Sequence, residues 1–343
     1  MSLRLSPNKL LIPLIPAYRF ALWLRERRLA AHPESVKRLR YPVVSIGNLS
    51  TGGAGKTPLT IALSEALTRR GFHVDVLSRG YGREPQLPIR VALAGTAEEF
   101  GDEPLLIARE ADVPVYVGNQ RYDAGLLAEG DATAVAVLGH KPKPHIHLLD
   151  DGFQHRRLHR QVDIVLLDRK DWRDWLLPAG NLREPPDALR RASVIAIPSD
   201  DPELEDSLTA WGWEGPVWRL TRKMEIPVVD GPVAAFCGIA RPLQFFEGLE
   251  AAALELAARK AFPDHYAYTA RDLERLATQA SAAGAVALVT TAKDRVRLGN
   301  LQSGLSPDMP LKTAGLRIGL EDSALDWLLV QLGLAPNLAH APL

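Results

Sequence analysis

Short, wholly apolar runs alternate along this chain with stretches whose apolar residues recur at helical spacing. Strand-like runs lie at 43–46, 73–77, 113–117, 145–149, 163–168 and 193–197, and again at 233–237, 286–291 and near 311–319. Helical patterns fall between them, from Leu59, from Leu105, after Arg121, within 199–215, from about Leu243, over 270–283 and near 322–333. Strands that are apolar throughout read as buried on both faces, and their alternation with helices predicts an α/β fold with a mostly parallel sheet. The pattern divides into an N-terminal helical segment (1–40), a first α/β unit (41–215), a connecting segment (216–230) and a smaller α/β unit (231–335). No internal repeat or low-complexity tract interrupts it.

The first strand carries the clearest chemistry. It runs through Val43-Val44-Ser45-Ile46-Gly47-Asn48-Leu49 into Ser50-Thr51-Gly52-Gly53-Ala54-Gly55-Lys56-Thr57-Pro58 and then a helix. Strand, glycine loop and helix in that order make a phosphate-binding P-loop. Glycines let several N–H groups turn inward, and the helix N-terminus adds partial positive charge. Lys56 is placed for the β- and γ-phosphates of a nucleotide, and the Thr57 hydroxyl for Mg²⁺. Ser50 stands where the general pattern has its first Gly. Pro58 sits in the first helical turn, where a missing N–H costs little.

Other polar residues gather at strand ends and helix starts. Arg79 and Arg83 follow the second strand, on the side where open α/β sheets bind ligands. Asp102 and Glu103 open a helix, either as cap and dipole partner or as base and metal contact. The run 145–149 ends in Asp150-Asp151-Gly152-Phe153-Gln154-His155, a Walker B-like arrangement that aims a carboxylate at the Mg²⁺ shell. Pro178-Ala179-Gly180-Asn181-Leu182-Arg183-Glu184-Pro185-Pro186 is a loop holding one base and one acid between turn formers.

Charge changes the picture only locally. Lys plus Arg number 41, as do Asp plus Glu, so no global field argues for nucleic acid. Residues 1–40, however, carry nine Lys and Arg against Glu26 and Glu34. The apolar stretch 10–24 among them is too short, too Pro-broken and too charged at Arg19 to span a bilayer. It suits either a helix lying in the lipid interface or one packed on the protein with a basic solvated face. A cleaved secretory signal is not expected, and the lone Cys237 excludes an internal disulfide framework and fits a reducing compartment.

Three classes of P-loop protein compete. A GTPase reads guanine with Asn-Lys-x-Asp, which Thr291-Ala292-Lys293-Asp294 does not match. A partition-type ATPase carries a signature lysine where Thr51 stands. A small-molecule kinase needs an acceptor site and a base, for which the second unit has room. Motifs across most of the chain resemble the tetraacyldisaccharide 4′-kinase family, the lipid A kinases: the loop 47–58, Leu77-Ser78-Arg79-Gly80-Tyr81-Gly82, Gly101-Asp102-Glu103-Pro104, Asp150 to His155, Leu182-Arg183-Glu184-Pro185, Phe262-Pro263-Asp264-His265-Tyr266 and Thr291 to Asp294. That family also lacks the first P-loop Gly; the chain departs from it at Ala292, where Glu is expected.

The resemblance implies ATP-dependent phosphorylation of the 4′-hydroxyl of tetraacyldisaccharide 1-phosphate, giving lipid IVA, by two α/β units that close over the nucleotide. It implies Asp102 as the base and His265 as its partner, a pairing expected to raise the basicity of Asp102. Ser50, Thr51, Gly52, Gly53, Ala54, Gly55, Lys56 and Thr57 would hold ATP. Thr57 and Asp151, with Glu103 or Glu184, would serve Mg²⁺. Arg79, Arg121 and Arg183 are the candidates for the 1-phosphate. A glycolipid acceptor places the enzyme peripherally at the cytoplasmic face of the inner membrane, with the N-terminal helix as its dock. The alternative is a membrane-associated ATPase that works as a switch and phosphorylates no lipid.

Overall fold

A computed structural model describes residues 8–334 apart from 53–54, 82, 84–86 and 138–142. A 3₁₀ turn over Lys9–Leu14 leads into α1 (Ile15–Ala31). Next come β1 (Val43–Asn48), α2 (Lys56–Arg69), β2 (His73–Ser78), the short β3 (Ile89–Arg90) and α3 (Ala97–Phe100). They are followed by α4 (Asp102–Ala111), β4 (Val115–Val117), α5 (Arg121–Val137), β5 (His145–Asp150), β6 (Val162–Leu166) and α6 (Arg169–Trp172). The chain continues through β7 (Val194–Pro198), α7 (Pro202–Trp211), β8 (Val217–Glu225), β9 (Val233–Cys237), α8 (Pro242–Ala251) and β10 (Leu256–Ala261). It closes with α9 (Ala270–Ala282), β11 (Ala287–Thr291), α10 (Ala292–Leu298), β12 (Leu311–Gly319) and α11 (Asp322–Gln331).

The strands form one twelve-stranded sheet in the order β10-β9-β11-β12-β8-β7-β6-β1-β5-β2-β4-β3. Neighbours are parallel except at β12 with β8 and at β3 with β4. The expected α/β fold with a mostly parallel sheet is therefore present. β1 lies between β5 and β6, so the sheet fills outward on both sides of it. The loop leaving such a strand opens into the crevice where α/β sheets take ligands.

The segment 216–230, read from sequence as a connection, contains β8. This strand pairs in parallel with β7 and antiparallel with β12, joining both halves into one sheet. Its signal is faint because only Trp218 and Leu220 are buried, while its second half is Arg222-Lys223-Met224-Glu225. β10 escapes notice for the same reason: Arg259 and Lys260 face solvent on the sheet's edge.

Leucines of α2 (Leu59, Leu63, Leu67) meet Val44, Ile46, Val74, Val76, Ile146 and Leu148 on one face of the sheet. The last helix returns to this face: Leu325, Leu328 and Leu329 of α11 join the same core. Trp327 packs edge-on against Trp218, centroids 5.9 Å apart, and Arg70, just after α2, pairs with Asp322 at 2.9 Å. Farther along the sheet, β9 and β11 are covered on one face by Phe245, Phe246 and Leu249 and on the other by Leu273 and Leu276.

Candidate active site

The loop after β1 is held by its own side chains and by a facing loop. Gly55 adopts φ 91°, a left-handed conformation open to glycine, and from there the chain enters α2. Asn48 donates to Ser50 Oγ (3.0 Å) and to the Gly52 carbonyl (3.3 Å), and accepts from Lys56 Nζ (2.9 Å). Thr51 N–H donates to the Asn181 carbonyl and Arg183 N–H to the Leu49 carbonyl, so the 178–186 loop runs beside the P-loop like an added strand. Gly53 and Ala54, expected in the phosphate cradle, lie outside the described residues. Thr57 stands in the first turn of α2, directly after Lys56.

β5 delivers the acids. It pairs with β1 so that Ile46 faces Asp150, and the turn after it folds back over β1, Gly152 N–H donating to the Ile46 carbonyl at 3.0 Å. Gly47 makes this possible: a Cβ there would come within 2.5 Å of the Phe153 Cβ. Asp151 is forced to φ 48° and projects toward the loop. There it takes both Nη atoms of Arg183 (2.9 and 2.8 Å) and lies 3.4 Å from Lys56 Nζ. Burial raises its pKa, but Lys56 and Arg183 outweigh that and hold it below the usual carboxylate range. Asp150 accepts from Thr60 Oγ1 (3.2 Å) and Ser78 Oγ (3.3 Å). Burial, followed by the charges of Glu103 and Asp151, pushes it up to about 7. The charges of Glu103 and Asp151 both disfavour ionisation of Asp150, a repulsion that a bound cation would relieve.

Asp102 meets the second half of the chain. Arg297 of α10 donates to Asp102 Oδ2 through Nε (2.8 Å) and Nη2 (2.6 Å). His265 Nδ1 stands 3.2 Å from the same oxygen, and Lys293 Nζ is 3.8 Å away while bonding Glu103 at 2.8 Å. The dyad expected from sequence is thus brought together, with two cations that were not foreseen in it. Burial raises the pKa of Asp102; His265, Lys293 and Arg297 more than reverse this and hold it well below the usual range. The expectation that His265 raises the basicity of Asp102 is corrected by these electrostatics, which act in the opposite direction.

Asp294 explains why the cluster is ordered. Wholly buried, it accepts from Thr291 Oγ1 (2.7 Å), Tyr268 OH (3.0 Å), Gly238 N–H (3.1 Å) and Arg297 Nη1 (3.0 Å). His265 itself takes a left-handed φ of 58°, its N–H donating to the Gly238 carbonyl at 3.2 Å. Thr291 to Asp294 was visible as a motif, but Arg297 left no signal beyond an ordinary helix arginine.

The remaining candidates separate. Arg183 belongs to the phosphate loop, since it also donates to Asn48 Oδ1 (2.7 Å) and the Ser50 carbonyl (3.0 Å). Arg121 is buried at the start of α5, and burial, then Arg79, lowers it to about 10. Arg79 is exposed. Both charges reach His155, which burial and then Arg121 lower to about 4. Glu184 is not brought to the acid cluster: Arg25 and Arg191 take one oxygen each, and it is 2% exposed. It is a buried ion-pair centre tying α1 to the 178–186 loop, a role Tyr18 shares by donating to the Arg183 carbonyl at 2.9 Å.

Comparison with known proteins points the same way. The tetraacyldisaccharide-1-P 4′-kinase family matches residues 7–332. A tetraacyldisaccharide 4′-kinase from Koribacter versatilis is 44% identical over 301 residues, covering 84% of this chain and 88% of that one. One from Geobacter metallireducens is 35% identical over 322 residues, covering 86% and 90%. Among solved structures, the "apo" form of LpxK from Aquifex aeolicus in complex with ATP superposes with a TM-score of 0.72 at 30% identity, covering 94% of this chain and 98% of that one. Matched over residues 7–332 and along most of the length of these relatives, the chain belongs to the tetraacyldisaccharide-1-P 4′-kinase family.

Proposed function

We propose that the protein transfers the γ-phosphate of ATP to the 4′-hydroxyl of tetraacyldisaccharide 1-phosphate, forming lipid IVA. The observation that carries this reading is the meeting of Asp102 with His265, Lys293 and Arg297 between the two halves of the chain, beside the P-loop acids. A switch ATPase has no need of an acceptor site there.

In this reading residues 50–57 take the triphosphate through main-chain N–H groups and Lys56. Lys56 and Arg183 are held by Asn48 and Asp151 in the structure and exchange those partners for phosphate oxygens. Mg²⁺, when bound, neutralises charge on the β- and γ-phosphates; Thr57, Asp151 and Glu103 would hold it, with Asp150 beneath them. Glu184 has no part, because its oxygens are spent on arginines. Asp102 orients the 4′-hydroxyl and accepts its proton late, since a loose phosphoryl transition state asks little of a base early on. Lys293 and Arg297 place positive charge where the transferring phosphoryl group becomes negative. Arg79 and Arg121, next to His155, are the groups for the 1-phosphate.

The acceptor requires a surface. No helix among the described residues is long and apolar enough to cross a membrane. α1 and the residue just before it do present Leu14, Phe20 and Trp23, each about half exposed or more, beside Arg27 stacked on the Trp23 ring. A cavity of about 460 Å³, lined by Trp23, Ala30, Val36 and Arg156, opens alongside. We assign this face to peripheral docking at the cytoplasmic side of the inner membrane. Incubation with γ-labelled ATP and the acylated disaccharide tests the function: label enters the lipid. Label released only as free phosphate would leave the switch ATPase standing.

A further inference from the structure

Far from the phosphate loop, at the opposite ends of the strands, the register of β2 and β5 builds an unusual square. His73 lies opposite His145 and Asp75 opposite His147. Residues two apart share a face, so all four project to the side covered by α5. The next rung on that face is Leu77 and Leu149, in a core with Ala124 and Ala128 of α5. An apolar position is what this setting normally demands. Instead Asp75, His145 and His147 are each 5% exposed or less, and His73 alone reaches solvent, half-buried at the strand's start.

The hydrogen bonds divide the square into inner and outer members. His147 uses both ring nitrogens, Nδ1 lying 2.7 Å from Asp75 Oδ1 and Nε2 3.5 Å from Glu129 Oε1. Glu129 is fixed in turn by the N–H groups of Arg40 and Tyr41. Asp75 Oδ2 faces His145 Nε2 at 2.5 Å, and the His73 and His145 rings meet edge-on with centroids 4.5 Å apart. One donor atom from each of His73, Asp75 and His145 lies within 4.8 Å of the other two, the one such group among the described residues.

We propose that His73, Asp75 and His145 form a binding site for a divalent transition-metal ion of the zinc class. Two imidazoles and one carboxylate make a donor set suited to zinc and poorly suited to Mg²⁺, which prefers oxygen. Bonds of about 2.0–2.1 Å require the three donors to draw together by side-chain rotation. The ion replaces the proton shared between Asp75 Oδ2 and His145 Nε2, and solvent beside His73 supplies the fourth position. His147 then serves as the outer partner that orients Asp75, in the way carboxylate and imidazole partners commonly brace metal ligands. Asp150 ends the strand that His145 begins, five residues and about 17 Å away, so this ion is separate from the nucleotide's Mg²⁺. It would pin the starts of two neighbouring strands together.

The test uses the full-length protein freed of metal by a chelator. Zn²⁺ is titrated by calorimetry, with Mg²⁺ and a non-hydrolysable ATP analogue present to occupy the catalytic carboxylates. Co²⁺ absorption is recorded in parallel, with thermal melts at each step. One equivalent of Zn²⁺ is expected to bind and raise the Tm, with tetrahedral Co²⁺ bands. His73→Gln, at the solvent-facing edge where the fold tolerates change, should weaken binding at least about tenfold and abolish the Tm rise while phosphoryl transfer stays intact. No binding by the wild type, or equal binding by wild type and H73Q, would overturn the site and leave a hydrogen-bonded His–Asp–His cluster.

Discussion

Arg297 determines what Asp102 does. A carboxylate gripped by a guanidinium, an ammonium and an imidazole is firmly ionised and a weak base, so its service is chiefly to place the acceptor hydroxyl. Asp102→Asn is expected to lower kcat about 10²–10⁴-fold with little change in KM for ATP. A variant that kept kcat and raised the KM for ATP would put Asp102 in nucleotide binding. Asp150 shows the opposite perturbation. Between about 4 and about 7 it carries a proton in the folded protein that the unfolded chain, with an ordinary carboxylate, has lost. Its contribution to stability therefore weakens as pH rises toward 7, and a cation restores it. Mg²⁺ affinity, measured by calorimetry, should fall up to tenfold per pH unit below about 7 and lose this dependence in Asp150→Asn. The glycine loop, Lys56 and Asp151 are legible in motif spacing, whereas Asp102 and His265 stand out only through the family resemblance. Arg297 and Asn48 could not be read from sequence, since their meaning comes only from contacts across the fold. Glu184 misled because its neighbour Arg183 faces the phosphate loop while it faces α1.

At the scale of elements, α1 meets the packed reading left open by the sequence, while its exposed side carries the docking proposal. Tyr18 and Arg25 fasten it to the 178–186 loop, and its other side exposes Phe20 and Trp23. Deleting the helix would remove Arg25 from Glu184 and leave Arg191 to pair with it. The cleaner perturbation is Phe20→Ser with Trp23→Ser, which leaves the fastening side untouched. It should reduce binding to anionic vesicles and activity on the lipid, with melting temperature and basal ATP hydrolysis unchanged. Vesicle binding equal to wild type would remove the docking role. Apolar runs announced the buried strands, yet β8 and β10 stayed hidden. An edge strand or a half-polar strand keeps its hydrogen bonds without keeping an apolar signature.

Across the whole molecule, one sheet carries both halves of the site. β8 links them by backbone pairing, α11 returns to pack on α2, and Glu103–Lys293 and Asp102–Arg297 bridge between α4 and α10. Sequence showed two α/β units but not how they share a sheet, because register between distant strands is set by packing rather than by any local pattern. The central claim is that this arrangement brings a sugar hydroxyl to a phosphate held by residues 50–57. The most direct measurement is a crystal structure with a non-hydrolysable ATP analogue, Mg²⁺ and the acylated disaccharide bound together. The expected result is a 4′-oxygen about 3–3.5 Å from the γ-phosphorus, hydrogen-bonded to the Asp102 carboxylate. A 4′-oxygen bound away from Asp102, or a triphosphate seated outside the 50–57 loop, would contradict it.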